Sequence, residues 1–155
     1  MLNTIHEDAG GRLNSLVLQL TPPELPEFFA RHAEEMIRDP RPFAAYMRSR
    51  LREKDLLQQN VFLAADLSEG YGYKLLSEEK HTRRRDTILR LCLGARFRPE
   101  EVNEALIHYG MAPLHALFPR DAALMTCFQN QLFDVHEVDR LLRDLGLAPL
   151  MKEPA

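Results

Sequence analysis

The second half of the chain is written twice. R-D-T-I-L-R-L-C-L-G-A-R-F-R-P-E-E-V-N-E-A-L-I-H-Y-G-M-A-P-L, residues 85–114, lines up with R-D-A-A-L-M-T-C-F-Q-N-Q-L-F-D-V-H-E-V-D-R-L-L-R-D-L-G-L-A-P-L, residues 120–150. The offset is 35 at the Arg-Asp pairs and 36 from Phe97/Phe133 onward. Each copy reads as a helix, a short loop, and a second helix ended by glycine and then Ala-Pro-Leu. Two such hairpins stack to bury each other's apolar faces. Pro99 stands where a first helical residue would lie, with Glu100 and Glu101 in the positive first turn, and Asp134 and Glu137 match the D-x-x-E capping pattern. Gly110 and Gly146 can adopt the left-handed conformation that closes a helix, and Pro113 and Pro149 prevent its continuation. Helices are therefore expected over 99–109 and 135–145.

Helical spacing extends through the rest of the chain. After a lead-in of twelve residues with Gly10-Gly11, the positions Leu13, Leu16, Val17 and Leu20 recur at three and four, and Leu25, Phe28, Phe29, Met36 and Ile37 predict another helix to about Arg38. Asp39-Pro40-Arg41-Pro42 breaks the chain, because proline removes a donor and restricts the residue before it. Phe43, Tyr46, Met47 and Leu51 mark one face of a helix whose other face carries Arg48, Arg50, Arg52 and Lys54. Short helices are expected over 57–65, 70–76 and 87–93. No stretch alternates with period two, so the fold class is all-α, a compact multi-helix bundle. Its segments are an N-terminal helical piece (1–40), a middle core (41–98) and the tandem hairpin repeat (85–150) packed on that core as one globular domain.

Charge is unevenly spread. Residues 1–40 carry three arginines against seven acids, 41–98 carry thirteen Lys/Arg against seven acids, and 99–155 carry four against nine, giving −4, +6 and −5. A basic middle between acidic ends suggests a nucleic-acid contact in the middle third. The longest apolar runs, such as 61–65, are far shorter than the roughly 20 residues of a membrane span, so the expected location is cytoplasmic with no membrane partner. Cys92 and Cys127 lie in apolar helical patterns and read as buried thiols. His6, His32, His81, His108, His115 and His136 show no ligand spacing, and no nucleophile motif or glycine-rich phosphate loop is present. The expectation is a protein without catalytic residues, metal or cofactor, with Glu100-Glu101 and Glu78-Glu79 helix-terminal or solvated.

Residues 52–76, R-E-K-D-L-L-Q-Q-N-V-F-L-A-A-D-L-S-E-G-Y-G-Y-K-L-L, resemble the helix-turn-helix of the Cro and lambda-repressor-like (Xre-type) family. Arg52, Glu53, Leu56, Gln58, Val61, Leu67, Ser68, Tyr71 and Leu75 carry the likeness, which covers about residues 43–106. Phe62 stands where the family has a small alanine, Asp66 where it has the turn glycine, and Glu78 where a glycine follows the reading helix. The resemblance implies that the second helix of the motif lies in the major groove of double-stranded DNA. Gln58 would then meet a phosphate, Ser68 would open the reading helix, and Glu69, Gly70, Tyr71, Tyr73 and Lys74 would face the groove. Lys80, His81, Arg83, Arg84 and Arg85 would lie along the backbone, where they position the protein without reading sequence. The join of this motif to the repeated tail is similar to that of bacterial proteins assigned to transcriptional regulation or signalling. Two functions follow as expectations: a DNA-binding transcriptional regulator, and a protein-protein adaptor in bacterial signalling or defence that has lost DNA binding. Leu114, Leu117 and Phe118, around the Phe118-Pro119 join, read either as a packed linker or as a homodimer face or contact to another regulatory protein.

Overall fold

A computed structural model describes residues 9–38 and 40–151, leaving Asp39 of the expected proline break outside the described residues. Among the described residues there are nine α-helices and no strand: α1 (Ala9–Val17), α2 (Leu25–Arg31), α3 (Pro42–Glu53), α4 (Gln58–Ala64), α5 (Glu69–Leu76), α6 (Arg85–Gly94), α7 (Pro99–His108), α8 (Pro119–Gln129) and α9 (Val135–Asp144). The chain divides into two compact units, one ending at Arg38 and the other beginning at Asp39.

In the first unit two boundaries differ from expectation. Helix α1 already includes Gly10-Gly11 and stops at Val17 rather than Leu20. A 3-10 turn over Pro22–Glu24 follows, in which the Glu24 carboxylate accepts both the amide and the hydroxyl of Thr21. Helix α2 ends at Arg31, seven residues before the expected Arg38, because residues 30–35 (A-R-H-A-E-E) offer no large apolar side chain to hold further turns. Phe28 is buried beside the His32 ring, centroids 4.4 Å apart, and an Arg12–Glu35 ion pair of 2.8 Å closes the unit.

In the second unit α6 is the axle. Seven of its ten residues are buried, so it is apolar nearly all round, as a helix enclosed by others must be. It packs on α4 and α7, α3 packs on α5 and α7, and α8 and α9 pair with each other and join through α7. Phe43, Met47 and Leu51 of α3, Phe97, Val102 and Leu106 around α7, and Leu124, Phe128, Val138 and Leu142 of the second hairpin share one core. Cys92 and Cys127 are buried in it as free thiols, and burial pushes both thiol pKa values up.

The two hairpins are locked by a reciprocal clasp. The Arg85 guanidinium donates to both carboxylate oxygens of Asp121 (2.8 and 3.1 Å) and to the carbonyls of Ala112 and Pro113 at the end of its own hairpin. Arg120 donates to both oxygens of Asp86 (2.7 and 3.0 Å) and to the carbonyls of Ala148 and Pro149. Each Arg-Asp pair thus holds its own Ala-Pro-Leu end with the arginine and the other hairpin's arginine with the aspartate. Asn103 Oδ1 then accepts the Leu114 amide, and the Asp139 carboxylate accepts those of Leu150 and Met151. Leu114 is accordingly core, 4% exposed, and cannot form the partner surface expected of it, whereas Leu117 (80%) and Phe118 (63%) remain outside.

Candidate nucleic-acid interface

Helices α4 and α5 meet across the turn 65–68. Ser68 takes an extended backbone and its hydroxyl accepts the Tyr71 amide at 3.4 Å, which is how a serine starts a helix. The turn has no glycine, yet Asp66 adopts φ 57° and the Leu67 amide reaches back to the Phe62 carbonyl at 2.9 Å, the closing bond of a Schellman end. Arg90 of α6 stabilises this turn by donating to the carbonyls of Ala65 (3.1 Å) and Asp66 (2.6 Å).

The departures from the resembling pattern have physical compensations. Phe62 is large where the pattern is small, and its ring lies over Gly72, where any Cβ would overlap it. The large ring of Phe62 is thus accommodated by a glycine across the α4–α5 contact, and Tyr73 completes it edge-on to Phe62 at 4.9 Å. Gly94 plays the same part between α4 and α6, since a Cβ there would run into the Val61 carbonyl. Glu78 holds φ 59°, and its carboxylate accepts the Ala44 amide in the first turn of α3 at 3.2 Å. A left-handed non-glycine residue costs about 1–2 kcal/mol, and a charge-assisted cap on α3 offsets it.

The expected site residues are distributed as follows. Glu69, Gly70, Tyr73 and Lys74 are solvent-exposed on α5, Tyr71 is half-buried against the core, and Gln58 is half-buried at the start of α4. The loop after α5 turns sharply: the Lys80 amide donates to the Lys74 carbonyl at 3.0 Å, placing the two lysine backbones together. The Thr82 amide donates to the Tyr109 hydroxyl at 2.6 Å, and Tyr109 stands edge-on to Phe43, ring centroids 4.9 Å apart, with the His81 ring 5.8 Å away. The loop is therefore pinned to the core at Thr82, leaving Lys80, His81, Arg83 and Arg84 exposed beside it. Lys74, Lys80, Arg83 and Arg84 have no ion-pair or hydrogen-bond partner for their cationic groups among the described residues. Arg85 is separated from them by the clasp, where most of its donors are taken.

Two cations expected on the solvent face of α3 are elsewhere. Lys54 lies 2.9 Å and Arg50 3.5 Å from the Glu101 carboxylate, which also accepts the Arg98 amide at 2.9 Å, so Glu101 is 3% exposed rather than solvated. Burial pushes its pKa upward, but the Arg98 amide and Lys54 outweigh that and hold the carboxyl below its ordinary value. Sequence pattern marks Glu101 as a first-turn acid, which it is; its basic partners, Arg50 in the last turn of α3 and Lys54 just past its end, are the available signal that it is also an anchor.

Among the described residues no group of three or more His, Cys, Asp or Glu could hold a metal ion, and no helix is long and apolar enough to cross a membrane. No family model, curated protein or solved structure matches the chain.

Proposed function

We propose that the protein is a non-enzymatic DNA-binding regulator, a transcriptional regulator in bacteria, acting in the cytoplasm and binding double-stranded DNA as a homodimer. The observation that carries this reading is the joining of two short helices by a four-residue turn with Lys74, Lys80, Arg83 and Arg84 exposed and uncommitted beside the second helix. The resemblance of residues 52–76 to the Xre-type motif supports it. Helix α5 would enter the major groove, with Lys74 and Tyr73 toward base edges and Lys80, Arg83 and Arg84 toward phosphates. Glu69 caps the dipole of α5 but repels phosphate, which favours backbone holding over base reading. A single motif reads one half-site, hence the dimer.

The second reading, an adaptor for another regulatory protein, is favoured by Leu117 and Phe118, large apolar side chains left exposed on the loop before α8. A mobility-shift salt series separates the two. Retardation of duplex DNA that weakens steeply with salt, with a slope reduced by about one for each of Lys80→Ala and Arg83→Ala, supports the regulator. No retardation at low salt rejects it.

A further inference from the structure

The first hairpin has a covered face that the second leaves bare. Phe97, Glu101, Ala105 and Tyr109 recur every four residues through α7, and α3 lies on them. Lys54 stands over the Phe97 ring at 5.7 Å and 2.9 Å from the Glu101 carboxylate, with Arg50 3.5 Å from the same carboxylate. Ring centroids are 6.2 Å apart for Tyr46 and Phe97 and 4.9 Å for Phe43 and Tyr109. Phe97, Glu101 and Ala105 are consequently no more than 3% exposed. In the second hairpin the same register places Phe133, Glu137, Leu141 and Leu145. There Phe133 and Leu141 are half-buried, Glu137 is exposed and Leu145 is 56% exposed. The receiving residues remain without the cover: an aromatic ring, a carboxylate four residues on, and an apolar side chain at each of the next two fours.

We infer that this face of α9 docks an amphipathic helix of a partner protein, one that brings an aromatic residue and then a cation one turn and two turns further on, as Tyr46, Arg50 and Lys54 do on α3. The molecule already shows the matched pair: the same residue types in the same register receive that chemistry in the first hairpin. Charge points the same way. The Glu137 carboxylate has no ion-pair or hydrogen-bond partner among the described residues, whereas its counterpart Glu101 meets Arg50, Lys54 and the Arg98 amide. The other charged groups of α9 do not neutralise it. Asp134 caps the helix, His136 lies 3.9 Å from Asp66, and Asp139 accepts the Leu150 and Met151 amides. Arg140 and Asp144, exposed beside the stripe, are opposite in sign, and helical periodicity puts Arg143 on the other side of α9. An arriving helix that covers Glu137 must pair it, so one without a cation at that place is rejected. The face stands whether or not the chain binds DNA.

The test is fluorescence anisotropy of a labelled peptide of residues 41–57, which carries the covering helix of the first hairpin, titrated with the whole chain in the absence of DNA. Saturable binding is expected, weakened about tenfold in Glu137→Lys and restored when the peptide carries Arg50→Glu and Lys54→Glu. Glu137 is exposed, so the variant keeps its fold, which circular dichroism checks. No saturable binding overturns the proposal. So does binding that Glu137→Lys leaves unaltered, since the peptide has then exchanged with α3 on the first hairpin. Sedimentation of the chain alone supplies the last arm: self-association that Glu137→Lys abolishes makes the occupant a second copy, and the assignment to a partner protein fails.

Discussion

The two hairpins, α6–α7 and α8–α9, share a frame and differ in what they are attached to. Common to both are the Arg-Asp pair at the start, the glycine at positive φ (81° at Gly110, 73° at Gly146), the Ala-Pro-Leu end and the amide-accepting side chain at Asn103 and Asp139. The differing positions face the rest of the protein. Arg90, which holds the α4–α5 turn, corresponds to Met125; Gly94, which lets α4 approach, corresponds to Gln129; Glu101, buried by Lys54 and Arg50, corresponds to the exposed Glu137. Even the approach to each hairpin differs, Arg83-Arg84 leading into the first and Leu117-Phe118 into the second. Repetition built the clasp, and divergence of three positions welded one copy to the end of α3, to α4 and to the turn between α4 and α5.

The largest effect should fall where the copies differ most. Glu101→Ala leaves Lys54 half-buried without its anion and the Arg98 amide without its acceptor, costing about 4 kcal/mol by analogy with other broken buried pairs. Glu137→Ala, at the matching place in an exposed turn, should cost no more than about 0.5 kcal/mol. Urea unfolding of the two variants measures both. Equal costs would mean that Glu101 is no weld, and the contrast between the hairpins would fail at its strongest point.

The frame was legible because its signals are local. A glycine followed by Ala-Pro-Leu needs only its own neighbours to end a helix, so α7 and α9 lie within a residue of expectation. The weld was not, because it joins residues far apart in sequence: Glu101 looks like a helix-start acid until Lys54 is seen over it, and Arg85 looks like a member of the basic run until Asp121 is seen beside it. Left-handed helix ends at Asp55, Asp66, Glu78, Arg96 and Gln131 were invisible for a different reason, since no glycine marks them. Within the candidate interface, the expected exposure of Glu69, Lys74, Lys80 and Arg83 followed from their chemistry, whereas the accommodation of Phe62 by Gly72 required the packing itself.

The clasp is symmetrical in its bonds but not in its burial, and that asymmetry gives an intermediate effect. Asp121 is 5% exposed, and besides Arg85 it accepts the His115 amide at 3.0 Å. The side chain of Asp86 is 34% exposed. Asp121→Ala should cost about 3 kcal/mol and Asp86→Ala about 1 kcal/mol, read as shifts in the urea midpoint. Acid sharpens the same point. Burial raises the Asp121 pKa, but Arg85 and the His115 amide hold it below its ordinary 3.8 on balance, and Glu101 lies below its ordinary 4.5. Depressed carboxyl pKa values contribute stability that is present above the unfolded values and lost as pH falls through the folded ones. Thermal midpoints should thus hold level down to about pH 5 and fall below it, less steeply in Glu101→Ala and Asp121→Ala than in the parent chain. Parallel acid limbs in all three would exclude these two carboxyls as the source.

The smallest contrast should lie between two positions that the hairpins share. Gly110 and Gly146 each end a helix at positive φ with nothing within 4 Å of where a Cβ would stand, and the following amide reaches back to the carbonyl of Leu106 or Leu142 at 2.8 Å. With space not at issue, Gly110→Ala and Gly146→Ala each carry only the left-handed backbone penalty, about 1 kcal/mol. The two costs should agree within about 0.5 kcal/mol and add in the double variant, because the sites share no partner. A much smaller cost at Gly146 would mean that the second hairpin opens before the rest of the unit unfolds. The clasp would then be a latch on a separable piece, not part of one cooperative body.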